Sequence, residues 1–235
     1  MLLSLFFLLV LLVVIKYCYD LHQFNPDAEL IELHDCNPIT IQEKYKSKSP
    51  LLIHNHPKID ITMKSLLQSN PGYIIVDDDK YLSFDSFDSH EKSHEKPLSV
   101  YQNKKLCKDL FISPPLEKIS ELFLDKLHCN IQFAVSLFKN KNRLTLSENK
   151  NNLLILKPIQ NQITVYLINP KHALDIAQKD EESIKKWSHK IVLNENQILS
   201  IPPNWFYFYE TNQNDTIIGS IQSDTYFTVF YNLLR

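Results

Sequence analysis

The stretch that decides the fold runs from residue 192 to residue 210 and reads VLNENQILSIPPNWFYFYE. One β-type run ends in Ile201-Pro202-Pro203, and a second run, rich in aromatic residues, begins at Trp205. Proline and asparagine stand between the two runs, and these residues favour turns and end strands. The segment therefore predicts two short strands joined by a turn.

Similar short β-type runs recur from Asn130 to the end of the chain, separated by Asn, Lys, Asp and Pro. Eight or so strands of this length indicate an antiparallel barrel or sandwich. One segment interrupts them, ALDIAQKDEESIKKW, and we interpret it as a helix inserted between strands. From Ile39 the preceding part alternates helical and strand patterns, so it is predicted to be α/β.

The composition excludes several classes of function. A net charge of -2 is not the strongly basic charge typical of nucleic-acid-binding proteins, so no nucleic-acid partner is expected. Only 2 glycines occur, and no glycine-rich phosphate-binding loop is present. The 4 cysteines are widely spaced and form no C-x-x-C pair, which favours reduced thiols over a disulfide framework or a zinc site.

The run from Leu2 to Ile15 is apolar except for Ser4. We expect a single transmembrane anchor at residues 1–19, in contact with the lipid bilayer through residues 2–19 and extended past Lys16 to interfacial tyrosines. A cleaved signal peptide is the less favoured alternative, because bulky or charged residues follow the run. The expected localisation is a single-pass membrane protein, on an undetermined side. Residues 20–38 would then form a juxtamembrane stalk, and residues 39–235 one domain.

Four segments resemble, in the same order, the JmjC-like branch of the cupins, the family known as cupin-like. They are ITIQEKYKSKSPLLIHN at 39–55, YLSFDSF at 81–87, NNLLILKPIQNQITVYLINP at 151–170 and the segment at 192–210. The resemblance implies a barrel called a double-stranded β-helix. The predicted fold class is therefore mainly β with an α/β N-terminal part, its cupin-like barrel lying behind one N-terminal transmembrane helix.

The resemblance also identifies the positions of an iron site. Active members hold Fe(II) through two histidines and one carboxylate, with open positions for 2-oxoglutarate and oxygen. The matching residues here are Leu146, Glu148 and Tyr207, so both histidines are replaced. A neutral phenol is a poor ligand for ferrous iron. No basic residue in the matching turn is evident for 2-oxoglutarate, although Lys157 lies near it in sequence.

These replacements predict a domain without iron-dependent catalysis and without a cofactor, more an interaction module than an active oxygenase. It would bind an unknown protein or small-molecule ligand, with Trp205, Phe206 and Lys157 as candidate lining of the ligand pocket. The alternative is an Fe(II)/2-oxoglutarate-dependent hydroxylase with an atypical site that includes Glu148 and Tyr207.

A second motif competes with this interpretation. The segment from His90 to His94 spells H-E-x-x-H, in which two histidines bind zinc and the glutamate, here Glu91, activates water. Such a motif requires a stable helix with an apolar face, whereas the flanking residues are Asp, Ser, Lys and Pro. A charged loop is the favoured interpretation, and a zinc metalloprotease is a distant alternative.

Overall fold

The structure, a computed structural model, describes residues 2–22, 24–77, 80–89, 99–124, 128–177, 179–226 and 228–229. Most of its helices precede the main run of strands. They are α1 (Leu2–His22), α2 (Pro38–Tyr45), α3 (Met63–Ser69), α4 (Phe84–Ser89), α5 (Lys104–Asp109), α6 (Ser113–Ser120), α7 (Ala173–Ile176) and α8 (Glu181–Lys185).

The strands dominate the second half of the chain. They are β1 (Ile31–Leu33), β2 (Leu51–Ile53), β3 (Ile74–Asp77), β4 (Lys80–Ser83), β5 (Ser99–Asn103), β6 (His128–Phe138), β7 (Asn142–Arg143), β8 (Ser147–Glu148), β9 (Leu153–Gln160), β10 (Ile163–Ile168), β11 (His189–Leu193), β12 (Ile198–Ile201), β13 (Phe206–Thr211) and β14 (Thr216–Thr225).

Two sheets face each other at the centre of the molecule. The large sheet has the order β1-β2-β12-β9-β14-β6-β5, and the small sheet has the order β11-β10-β13-β7, with β8 also paired to β13. From β6 onward the chain passes between the two sheets, with β6, β9, β12 and β14 in the large one and β7, β8, β10, β11 and β13 in the small one. Neighbouring strands within this run are antiparallel.

Apolar side chains from both sheets fill the space between them. Their burial removes apolar surface from water, which is the main force that holds two sheets together. This inner cluster consists of Ala28, Leu52, Phe138, Leu154, Leu156, Ile163, Val165, Leu167, Ile191, Leu193, Leu199, Ile201, Trp205, Tyr207, Tyr209 and Ile218.

Short helices cover the other face of the large sheet. α2 begins at Pro38, after an Asn37 side chain that accepts a hydrogen bond from the Ile39 amide. α3 begins with a capping box in which Thr62 and Ser65 bond reciprocally. Buried residues of α2 to α6 form one cluster with outward-facing residues of β6, β9 and β14. The sheet is therefore buried on both faces, which explains its nearly continuous apolar strands.

The small sheet has its own outer cover. Tyr166, Ile168 and Phe208 project from it and pack against Ile176 of α7 and Ile184 of α8. The segment ALDIAQKDEESIKKW, predicted as one helix, forms the two short helices α7 and α8, and each supplies one apolar residue to this outer cluster.

The predicted transmembrane helix is the main correction. In α1 the apolar run ends at Ile15, and the charged Lys16 follows it. Among the described residues no helix is long and apolar enough to cross a membrane.

The predicted fold class, a mainly β barrel behind one transmembrane helix, is therefore wrong, and so is the predicted single-pass membrane localisation. What the structure contains is a mixed α/β fold with several sheets. The bilayer contact predicted for residues 2–19 depended on the same helix, and we do not propose it further.

Part of the segment predicted as a stalk lies against the sheets. β1 pairs in parallel with β2 at the edge of the large sheet, and Ala28 is buried in the inner cluster. The Asn169 side-chain amide donates to the main-chain oxygens of Asn25 and Pro26, at 3.2 and 3.3 Å. Residues 25–33 are thus continuous with the folded core.

Candidate functional site

The aromatic residues that follow Pro203 are Trp205, just before strand β13, and residues 206–209 within it, and the alternation of side chains along the strand decides where each of them points. Trp205, Tyr207 and Tyr209 belong to the inner cluster, between the sheets. Phe206 and Phe208 face the opposite way and pack in the outer cluster. Successive side chains of a strand point to opposite faces, so Tyr207 and Phe206 cannot share a site.

The other two positions that match the family's iron site are Glu148, in strand β8, and Leu146, just before that strand. In its pairing with β13, Ser147 lies opposite Tyr207 and Glu148 lies opposite Phe206. Residues directly opposite each other share a face of the sheet. Leu146 also packs against the outer cluster. The structure therefore places Leu146 and Glu148 on the outer face of the small sheet, away from Tyr207.

Three tyrosines meet on the inner side of this strand. Tyr101, in the large-sheet edge strand β5, hydrogen-bonds with both Tyr207 and Tyr209. Tyr207 also hydrogen-bonds with Gln102, and Tyr209 with Ser136. Burial raises the pKa of all three phenols above its ordinary value, so they are neutral at physiological pH.

This donor set does not fit ferrous iron. A 2-oxoglutarate-dependent iron site uses two imidazoles and a carboxylate on one face, whereas the inner face here presents neutral phenols among apolar side chains. Phe138 packs edge-on to Tyr209, with ring centroids 6.0 Å apart. Within the described ranges, no cluster of three or more His, Cys, Asp or Glu side chains is arranged to hold a metal ion.

The three residues predicted to line a ligand pocket are not brought together. Trp205 is buried in the inner cluster and Phe206 packs on the outer face. Lys157 is fully buried, and its ammonium group lies among main-chain oxygens of two loops. It donates to Glu195 O at 2.7 Å and Pro57 O at 3.2 Å, and lies 3.3 Å from His56 Nδ1.

Burial also determines the charge state around Lys157. Loss of hydration lowers the pKa of its ammonium group to about 8. Burial, together with the nearby ammonium charge, lowers the pKa of His56. The hydrogen bonds of Lys157 therefore connect the loop after β2 to the turn before β12. The same burial makes its ammonium group lose a proton more easily.

The histidines of the H-E-x-x-H segment, His90 and His94, lie outside the described residues, as does Glu91. The zinc metalloprotease alternative thus stays a prediction from sequence.

A polar pocket of about 430 Å³ lies at the end of the two sheets where three strand connections meet. We call it the turn pocket. One lining residue precedes α3, and the others come from the β9–β10, β11–β12 and β13–β14 turns. Its lining consists of Lys58, Asn161, Gln162, Asn194, Glu195, Asn196 and Gln213.

Sequence reasoning did not identify the turn pocket. Its only local signal is that amide residues recur in successive turns, as Asn161-Gln162, Asn194 to Asn196, and Asn212 to Asn214. Such turns are ordinary between antiparallel strands, because asparagine tolerates the backbone conformations that turns need. Only the strand order shows that these turns meet at one end.

Comparison with known proteins leaves the chain without a family assignment. No family model matches it, and no curated protein matches it in sequence.

Proposed function

We propose that this chain is a cupin-like domain protein that lacks iron-dependent catalysis and acts as a binding module. Two features support the family. The four resembling segments occur in the family's order, and strands β6 to β14 pass between two facing antiparallel sheets. Cupins are among the double-sheet β proteins with this kind of layering.

The observation that carries the loss of catalysis is the register of β8 against β13. Tyr207 occupies the position of a family histidine and points between the sheets, but Glu148 pairs with Phe206 and points outward. One ion cannot bind both residues, since the sheet lies between their side chains. Two features therefore argue against iron chemistry: both histidines are replaced, and Glu148 and Tyr207 lie on opposite faces of the small sheet.

The filled interior supports a binding role at the surface. Trp205, Tyr207 and Tyr209 are each at most 4% exposed, so the space in which active relatives place substrate holds protein side chains here. A ligand or partner would then bind at a rim or an outer face, where polar groups are accessible.

Metal analysis of the full chain tests this proposal. After anaerobic incubation with Fe(II) and gel filtration, we expect less than stoichiometric iron, and no consumption of 2-oxoglutarate above the protein-free rate. We expect the same of Tyr207→His, because a new imidazole between the sheets still lacks the Glu148 carboxylate; Tyr207→Phe is the matched control. Stoichiometric iron in the unmodified chain, lost in Glu148→Ala together with 2-oxoglutarate turnover, would overturn the proposal.

A further inference from the structure

The turn pocket has a rigid base. The Glu195 carboxylate accepts a hydrogen bond from the Asn161 amide at 2.8 Å through Oε1 and from Lys58 Nζ at 2.9 Å through Oε2. Its main-chain oxygen accepts the buried Lys157 ammonium at 2.7 Å. The neighbouring main-chain oxygen of Asn196 accepts the His56 amide at 2.9 Å. Contacts of this kind hold a site in place before a ligand arrives.

Three side-chain amides in the pocket remain available to a ligand. Gln162, Asn196 and Gln213 line it, and their side chains make no hydrogen bond to any part of the chain that the structure describes. Each amide presents two N–H donors and an acceptor oxygen. They come from three different turns, which meet at this pocket.

The charges in the pocket offset each other. Lys58 and Glu195 form an ion pair at 2.9 Å, and the hydrogen bond from Lys58 is the main reason that the pKa of Glu195 is lowered. Because the two charges are paired with each other, the pocket does not favour a ligand of either charge. The lining contains no aliphatic or aromatic residue, which disfavours a ligand that needs its apolar surface buried.

We infer that the turn pocket binds a saccharide, with the amides of Gln162, Asn196 and Gln213 bonded to ring hydroxyls and Glu195 at the base. A hydroxyl group donates and accepts at once, as a side-chain amide does, so neighbouring hydroxyls match neighbouring amides without any charge. The volume of about 430 Å³ lies within the roughly 300–1,000 Å³ range of small-molecule sites. A peptide is less suited, because sheet proteins bind peptides mainly along strand edges, and this site is built from turns.

This inference rests on the proposed function, since it gives the binding module its ligand class and site. The two fail in different ways. Iron binding with 2-oxoglutarate turnover would overturn the proposed function and leave the turn pocket untouched, whereas absence of saccharide binding would leave the metal result unchanged.

Nuclear magnetic resonance of the full ¹⁵N-labelled chain tests the inference. The probes are D-glucose, D-galactose, D-mannose and N-acetyl-D-glucosamine, with tetraglycine as the peptide probe. We expect at least one saccharide to cause saturable shifts in the main-chain amide resonances of Asn161, Glu195 and Gln213, which line the pocket and remain observable when side-chain amides are replaced. The shifts should fall at least tenfold at equal saccharide concentration in the triple variant Gln162→Ala, Asn196→Ala, Gln213→Ala.

The variants are chosen to preserve the fold. Asn196 and Gln213 contact the rest of the chain through main-chain oxygens, which accept bonds from the His56 amide and the Thr216 hydroxyl, and alanine keeps both. Gln42→Ala, which removes a half-buried amide on α2 outside the turn pocket, is the matched control and should retain the shifts. No saturable shift with any of the four saccharides, shifts that survive in the triple variant, or saturation by tetraglycine alone would each overturn the inference.

Discussion

At the scale of single residues, Lys157 makes the chain's stability depend on pH. Its pKa falls from 10.5 to about 8 on folding, so between these values the unfolded chain binds a proton that the folded chain releases. Stability therefore rises with pH across this window. A shift of this size corresponds to up to about 3 kcal/mol.

The prediction is tested by urea unfolding of the unmodified chain and of Lys157→Met at several pH values. Methionine keeps an unbranched side chain and removes the titrating group. We expect the free energy of unfolding of the unmodified chain to increase relative to the variant by up to about 3 kcal/mol between pH 8 and pH 10.5. A difference in the free energy of unfolding that stays constant across this range would contradict a lowered pKa of the buried Lys157 ammonium group.

At the scale of elements, the contact of α6 with the large sheet depends on Gly219 of β14. A Cβ atom at this position would lie 2.7 Å from Leu116 Cδ2 and 3.3 Å from Ile159 Cδ1. Leu116 is fully buried, so its side chain has little room to move. Glycine is needed here for close packing of the helix on the strand.

We expect Gly219→Ala to lower the free energy of unfolding by about 1–3 kcal/mol through overpacking. Leu116→Ala alone should cost about 2–5 kcal/mol through the cavity it leaves. Because the new methyl group occupies part of that cavity, the double variant should cost less than the sum, with a coupling of about 0.5–3 kcal/mol. Gly72→Ala is the control, since its Cβ would meet no atom within 4 Å. If the cost of the double variant equals the sum of the two single variants, Leu116 is not the side chain that clashes with the new methyl group.

At the scale of the whole molecule, residues 25–30 close one side of the two-sheet core, and the described side chains of α1 do not. Ala28 is 5% exposed within the inner cluster, Leu30 packs against that cluster, and Lys171 Nζ donates to Pro26 O at 2.8 Å. In α1 the described side chains from residue 5 to residue 16 are exposed, apart from a half-buried Val14.

Two truncations separate these roles. Removal of residues 1–23 should change the free energy of unfolding by no more than about 0.5 kcal/mol. Removal of residues 1–30 should lower it by at least about 2 kcal/mol, since it also exposes apolar surface of the inner cluster. Urea unfolding monitored by tryptophan fluorescence measures both, because Trp205 lies in that cluster. Equal stability of the two truncated chains would contradict the closure of the core by residues 25–30.

Local pattern was sufficient for many of the elements. The runs LLI, LLILKPI and ITVYLI are strands as expected, and helix α2 (Pro38–Tyr45) forms where the helical pattern that begins at Ile39 predicted a helix. The segment SPPLEKISELFLDKL carries apolar residues at helical spacing as far as Leu127, but its helix α6 ends at Ser120. The spacing of apolar residues indicates which side chains are favoured in the core, but the end of a helix depends on what the next residues contact.

The short β-type strands and the turn residues between them could be inferred from the amino-acid sequence alone, because they follow from local backbone preference. So could the poor fit of Leu146, Glu148 and Tyr207 to an iron site, because it follows from side-chain chemistry. Tertiary structure alone decided that Glu148 and Tyr207 point to opposite faces, that Lys157 is buried beside Glu195, and that three turns form one pocket. Strand register and strand order arise from pairings between residues far apart in the chain, and a shift of one residue reverses the face of every side chain. No local pattern carries that information.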